Sequence, residues 1–259
     1  MGARPLAWTV LGAGTAAPHP LRSPSGHLLH APDGPVLVDM GPGTLWRLAA
    51  QGVPWHDLRA IFITHGHLDH CLDLPALMFA ARGDHPRAEP LPIFVSPKMR
   101  RFIQSRFADP LGKWFSPLGF EIRWTLLDDS PLHVAGLTAR ALPVAHHDTS
   151  VGLRFEHPDG ACVAYSGDSD LCPNLIALCQ DADLGVLECS SPEDDKHPGH
   201  MTPREVARVA VEARLRSLAL VHRYHSLDGV DAPARVRAHG FEGPVIEALD
   251  GTYLDIHSP

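Results

Sequence analysis

The chain has 259 residues, with 18 histidines but only 5 cysteines, and 22 lysine plus arginine against 30 aspartate plus glutamate, a formal charge of −8. Hydrophobic residues make up 44% and charged residues 20%, a globular mix that excludes a disordered chain or a coiled coil. The acidic balance excludes the basic footprint of a general nucleic-acid binder, and 25 prolines, roughly twice the usual 5% share, keep the elements short.

In chain order, the first apolar run is 6–11. Gly12, Gly14 and Thr15 break it, so it reads as a strand and a turn rather than the unbroken core of a signal peptide. A strand at 36–38 precedes a helix at 44–51. A strand at 60–63 leads into a histidine-rich turn and a helix at 72–81. A strand at 93–95, a helix at 97–107 and strands at 120–126, 132–142, 151–155 and 161–165 follow. A helix at 174–180, a strand at 184–187 and a helix at 203–215 come next. The last of these opens on Thr202-Pro203-Arg204-Glu205, an N-cap threonine, proline at N1 and glutamate at N3. Strands at 218–221 and 245–246 flank a further helix at 231–238. Strands outnumber helices, which fits sheets covered by helices, and no linker divides residues 1–259, so one domain is expected.

The cysteines are Cys71, Cys162, Cys172, Cys179 and Cys189, an odd number with no CxxC pair. They read as reduced thiols of a cytoplasmic protein. No apolar run approaches the ~18 residues of a spanning helix.

The strongest chemical signal is Thr64-His65-Gly66-His67-Leu68-Asp69-His70, directly after the β-rich run Ala60-Ile61-Phe62-Ile63. His65 and His67, two apart in extended chain, project to one side, while Asp69 and His70 fall where the chain turns into a helix. Imidazole and carboxylate donors suit zinc, manganese or iron, and the lack of cysteine donors excludes a closed thiolate site. Three further predicted strands end on a candidate ligand: His146, Asp168 after Gly167, and His222. Each is weak alone; together with the cluster they make a complete two-metal set.

HxHxDH followed by His, Asp and His in this order resembles the metallo-β-lactamase superfamily. Leu11-Gly12-Ala13-Gly14-Thr15-Ala16-Ala17-Pro18, Leu37-Val38-Asp39-Met40-Gly41-Pro42-Gly43-Thr44, Tyr165-Ser166-Gly167-Asp168-Ser169 and His200-Met201-Thr202 with Glu205 are similar to its ribonuclease Z-like, phosphodiesterase-like branch. The resemblance covers roughly residues 11–222. It implies an α/β four-layer αβ/βα sandwich, two mixed sheets face to face with helices outside. It also implies that His65, His67 and His146 hold one divalent metal, that Asp69, His70 and His222 hold a second, and that Asp168 bridges them. Zinc is the expected ion, with manganese or iron as alternatives. Two such ions lower the pKa of a shared water and stabilise the oxygens of an in-line displacement; Asp69 is counted among the catalytic residues on this reading. His200, oriented by Glu188, is implied to donate a proton to the leaving oxygen, a role suited to an imidazole beside a carboxylate. The alternative is a histidine that merely precedes a helix cap. Asp39 either orients a ligand histidine or satisfies turn amides.

Other features carry plainer readings. Lys98, Arg100, Arg101 and Arg106 read as a solvated helix face. Trp46, Trp55, Trp114 and Trp124 read as packing residues. His147 should point away from His146 in extended chain. His19, His27 and His30 fall in a first loop region that could line an entrance, and His225 could reach the site from a loop.

The chain departs from a ribonuclease Z proper, which carries a long arm between the ligand histidine and the bridging aspartate to grip transfer RNA. Here His146 and Asp168 are only 22 residues apart, filled by two strands and a turn. The segment 84–118 lies elsewhere and is not rich in glycine or lysine. The expectation is a dinuclear metal-dependent hydrolase, a phosphodiesterase on small or cyclic phosphodiesters. The partner is then a small-molecule substrate, with nucleic acid less favoured, no membrane, and a homodimer left open. Alternatives are a tRNA 3′-end endoribonuclease, a thioester or lactone hydrolase, and an iron-dependent redox enzyme.

Overall fold

A computed structural model describes residues 6–83, 87, 89–116 and 119–258. Two seven-stranded sheets face each other. The first runs β14-β1-β2-β3-β4-β5-β6, with β1 Leu6–Gly12, β2 Gly26–Ala31, β3 Gly34–Met40, β4 Ala60–Ile63, β5 Leu91–Val95, β6 Ile122–Leu126 and β14 Tyr253–Ile256. The second runs β13-β12-β11-β10-β9-β8-β7, with β7 Leu132–Val134, β8 Leu137–Pro143, β9 Val151–Glu156, β10 Cys162–Tyr165, β11 Leu184–Glu188, β12 Leu218–Val221 and β13 Val245–Glu247. Each sheet is antiparallel in one part and parallel in the other: β3 to β6 and β10 to β13 are the parallel runs.

The parallel strands β4, β10, β11 and β12 are buried on both faces, and the alternation of their residues divides them between inner and outer cores. In β4, Ala60 and Phe62 face the space between the sheets, whereas Ile61 and Ile63 meet the outer helices. In β12, Ala219 and Val221 point inward and Leu218 and Leu220 outward. Helices α1 Thr44–Ala50, α2 Leu68–Cys71, α3 Asp73–Ala80, α4 Pro97–Ile103 and α5 Asp109–Leu111 accompany the first sheet. Helices α6 Pro173–Cys179, α7 Pro203–Glu212 and α8 Ala232–Ala238 cover the second. This is the expected four-layer arrangement. The capping box at Thr202 and Glu205 forms as its sequence predicts.

Several expectations need correction. The run 132–142 is a hairpin, because Ala135 and Gly136 take positive φ (50° and 80°) and turn β7 back onto β8. Residues 26–31 form β2 rather than a loop. His27 is fully buried on it, accepting from Trp8 Nε1 at 3.3 Å, and burial pushes its pKa down to about 3. His27 is therefore core, and His30 pairs with Thr9 on the same strand ladder. The C-terminal strand β14, which closes against β1, carries no clear apolar run. The helix at 97–107 ends at Ile103 and continues as a π turn over Gln104–Ala108. Trp46 is 74% exposed and does not pack; Trp114 is half exposed under Arg82 and Lys113. On α4, Arg100 lies over the Trp124 ring and Lys98 pairs with Asp148. Of the segment 84–118, residues 84–86, 88, 117 and 118 lie outside the described residues. No helix among the described residues is long and apolar enough to cross a membrane.

Candidate metal centre

Every candidate ligand lies at or just past the C-terminal end of a strand. β4 runs into His65; His67 occupies the N-cap of α2 with extended backbone, and Asp69 and His70 fill that helix's first turn. His146 follows β8, Asp168 follows β10, and His222 follows β12. The backbone N–H of Val151 donates to the Thr64 carbonyl at 3.1 Å, tying the two sheets together at this end.

Donor atoms of His65, His67, His146 and Asp168 all lie within 4.8 Å of one another, as do those of Asp69, His70 and His222. Asp168 joins the two groups. Its Oδ2 is 3.6 Å from His65 Nε2, 3.7 Å from His146 Nε2 and 3.3 Å from His222 Nε2, and its Oδ1 is 3.2 Å from His70 Nε2. His146 Nε2 is 3.0 Å from His67 Nδ1, and His222 Nε2 is 3.3 Å from Asp69 Oδ2. Donors on tetrahedral arms of about 2.0–2.1 Å stand about 3.3–3.4 Å apart, so these separations fit cations at the centre of each group.

The unpaired atoms make the same point. His65 Nε2, His70 Nε2 and Asp168 Oδ1 are buried and have no hydrogen-bond partner among the described residues, although buried polar atoms are normally paired. The opposite ring nitrogens are all engaged. His70 Nδ1 meets Asp39 Oδ2 at 2.8 Å, His146 Nδ1 meets the Gly199 carbonyl at 2.9 Å, and His65 Nδ1 meets Thr64 Oγ1 at 3.0 Å. Thr64 Oγ1 gives its one proton to Asp39, so it can only accept from His65. His65 and His146 therefore carry their proton on Nδ1 and turn the Nε2 lone pair inward, while His70, its Nδ1 held by Asp39, presents Nε2 to the centre. Gly199 is required here: its φ is 81°, and a Cβ would stand 3.1 Å from His146 Nδ1.

Asp39, fully buried at the end of β3 with φ 59°, is the hub. It accepts from Thr64 N, Thr64 Oγ1, the Tyr165 hydroxyl and His70. Four donors offset the cost of burying its charge, and the left-handed backbone is strain concentrated at the site. Of the two readings of Asp39, the geometry supports orientation of a histidine.

Burial lowers the pKa of His65 well below its ordinary value, with the His70 charge adding to it; burial also lowers His67, and takes His146 to about 4. All three are held neutral, as a ligand must be. Burial opposes a charge on His70 too, but Asp168 and Asp39 outweigh it and push its pKa well above normal. The field at His70 Nε2 thus calls for a positive charge. Burial would raise Asp69, yet the His222 hydrogen bond and the charges of His70 and His222 bring it to about 2.

Beside this centre, His200 Nδ1 lies 3.0 and 3.2 Å from the two oxygens of Glu188, which is fully buried at the end of β11. Glu188 also accepts from Ser169 N and Met201 N. Ser190 Oγ donates to Glu188 at 2.6 Å and sits 3.2 Å from His222 Nδ1, so one hydroxyl joins Glu188 to a candidate ligand. Burial disfavours the charged form of His200, but the Glu188 hydrogen bond and charge prevail and raise its pKa. A donor atom of His200 also falls within 4.8 Å of Asp168 and His222.

His225 does not reach the centre: it bonds Asp228 and the Pro18 carbonyl, with the His19 ring 5.0 Å away. His147 lies in a turn rather than extended chain and comes within 5.5 Å of the His67 ring. Thr64, Tyr165 and Ser190 escape sequence reasoning, since a hydroxyl beside a strand end carries no spacing signal.

A family model described as "Beta-lactamase superfamily domain" matches residues 35–223. The uncharacterized protein Rv1339 of Mycobacterium tuberculosis is 36% identical over 250 residues, covering 92% of this chain and 87% of its own. A ribonuclease Z of Streptomyces coelicolor is 27% identical over 296 residues, covering 95% and 96%. Among solved structures, the metallo-beta-lactamase fold protein YhfI from Bacillus subtilis superposes with a TM-score of 0.84 at 26% identity, covering 97% of this chain and 100% of that one.

Proposed function

The chain belongs to the beta-lactamase superfamily, and on that premise we propose that it is a metal-dependent phosphodiesterase acting on small or cyclic phosphodiesters. The single observation that carries this reading is the buried Glu188–His200 pair standing against seven inward-facing donors. Hydrolysis of a phosphodiester needs a proton for the leaving alcohol, and His200 is a histidine whose neighbour raises its pKa and so favours the form that can give one.

The residues fit two divalent ions, zinc first, with manganese or iron as alternatives. His65, His67 and His146 would hold one, Asp69, His70 and His222 the other, and Asp168 both. When bound, such ions activate water and stabilise the oxygens of an in-line displacement. The chain's own part follows from its geometry. Asp39 and Gly199 keep His70 and His146 in their ligand tautomers. Asp69 keeps an ionised carboxylate beside them. Glu188 holds the Nδ1 side of His200 and leaves Nε2 free to deliver a proton to the leaving oxygen.

A small substrate is favoured by two observations. The turn between β9 and β10 is short, with the His157 N–H meeting the Ala161 carbonyl at 2.8 Å. The alignment with ribonuclease Z runs over 296 positions, longer than this whole chain of 259, so that relative has segments without counterpart here. The same likeness keeps tRNA 3′-end processing as the second reading.

The test is turnover of protein loaded with two equivalents of zinc or manganese, offered bis(4-nitrophenyl) phosphate, a cyclic phosphodiester, a transfer-RNA precursor, a thioester and a lactone. The expected result is cleavage of the small diesters. Cleavage confined to the thioester or lactone would overturn the substrate class, and cleavage confined to the precursor would favour the second reading. Bound iron with dioxygen consumption would replace hydrolysis by redox chemistry.

A further inference from the structure

Tyr224 lies two residues beyond His222 and takes no part in the account above. Its backbone N–H donates to the Ser190 carbonyl at 3.2 Å, which fixes its loop to the segment after β11. Its ring stands nearly perpendicular to three imidazoles, with centroids 4.7 Å from His197, 5.8 Å from His222 and 5.9 Å from His200. His200 and His222 are themselves stacked at 5.4 Å and 11°. Tyr224 therefore closes one side of that stacked pair, and His197 packs edge-on against it to extend the aromatic wall.

The polar ends of this wall are free. Tyr165 donates its hydroxyl to Asp39 and Tyr253 to Asp255. The Tyr224 hydroxyl and both ring nitrogens of His197 have no hydrogen-bond partner among the described residues. Both residues are half-buried, so their apolar parts are fixed while these groups face solvent. A few fixed polar groups on an otherwise aromatic surface are what orient a ligand.

Resting on the phosphodiesterase reading, we infer that Tyr224 and His197 form a leaving-group subsite for an alcohol that carries a second oxygen near the scissile one, as a ribose or a glycerol does. The side follows from His200. Its Nδ1 is held by Glu188, so its other nitrogen meets the leaving oxygen, and the wall next to it meets the rest of that alcohol. The Tyr224 hydroxyl bonds the neighbouring oxygen, and His197 offers a second contact. A plain aryl or alkyl alcohol would leave both unused.

The test uses metal-loaded protein, wild type and with Tyr224→Phe, His197→Ala or, as a remote control, Tyr253→Phe. Two readouts are taken: the ratio of kcat/KM for a dinucleoside monophosphate to that for bis(4-nitrophenyl) phosphate, and the calorimetric Kd of an uncleavable dinucleoside methylphosphonate. Tyr224→Phe keeps the ring and removes one hydrogen bond, so the ratio should fall and the Kd rise by about five- to ten-fold, His197→Ala should act in the same direction, and Tyr253→Phe should move neither. If Tyr224→Phe moves neither readout more than Tyr253→Phe does, the subsite is refuted even where aryl diesters are cleaved. If no diester is cleaved but the methylphosphonate binds in a Tyr224-dependent way, the subsite stands and the reaction assignment falls. Absence of both cleavage and binding refutes the subsite as well.

Discussion

Each sheet ends one parallel strand on a fully buried carboxylate that grips the Nδ1 of a histidine. Asp39 on β3 holds His70 at 2.8 Å, and Glu188 on β11 holds His200 at 3.0 Å. The local device is the same, and the surroundings set its use. His70 Nε2 faces two carboxylates, 3.2 Å from Asp168 Oδ1 and 3.9 Å from Asp69 Oδ2, where a cation can replace a proton. Around Asp39, the Thr64 hydroxyl carries the same grip to His65, so one carboxylate positions donors of both candidate groups. Glu188 is wired instead to Ser190, Ser169 and Met201, and it raises the pKa of its histidine beside the centre. On the proposed function, a carboxylate–histidine pair would make a ligand or an acid according to what faces the far nitrogen.

That contrast can be broken most sharply at His200. His200→Ala should retain both metals by elemental analysis while kcat falls about 10²- to 10⁴-fold, whereas His65→Ala should lose metal as well. Equal metal loss in both would erase the distinction between the two pairs. Next in size, Asp39→Ala should weaken metal binding about 10- to 100-fold in a competition titration, because it releases His70 directly and His65 through Thr64. Metal affinity within twofold of wild type would remove Asp39 from its role as hub.

A finer cut uses pH. Glu188 raises the His200 pKa against the effect of burial, so the acid form survives to higher pH and activity is lost as pH rises through that pKa. Glu188→Gln removes the charge that raises it, and the alkaline limb of kcat should move to lower pH with metal content unchanged. A limb that stays in place would assign it to another group. The smallest expected effect is at Ser190, whose hydroxyl touches both Glu188 and His222. Ser190→Ala should lower kcat and metal affinity together by only a few-fold, about the worth of one hydrogen bond each.

The sequence by itself determined the donor set. HxHxDH compresses four donors into one strand end, and strand ends carrying His146, Asp168 and His222 are readable as short apolar runs that stop at a polar residue. Local spacing and alternation act over a few residues, and that range covers these signals. It also covers the capping box that starts α7 just after His200. Strands β2 and β14 lay beyond it: β2 carries His27 and His30, and only burial against Trp8 and Tyr165 makes His27 an apolar-face residue. Trp46 went the other way, because a large side chain says nothing about which face of α1 the sheet covers.

Tertiary structure alone decided how the donors are held. Asp39 meets Tyr165 across 126 residues of sequence, Ser190 meets His222 across 32, and His146 meets Gly199 across 53. Neither the tautomers nor the raised pKa of His200 can be read from composition or spacing, since each depends on which hydroxyl, carbonyl or carboxylate the fold brings to about 3 Å. The residue types fix which chemistry is available; the packing of neighbouring strand ends and their loops fixes which nitrogen carries the proton.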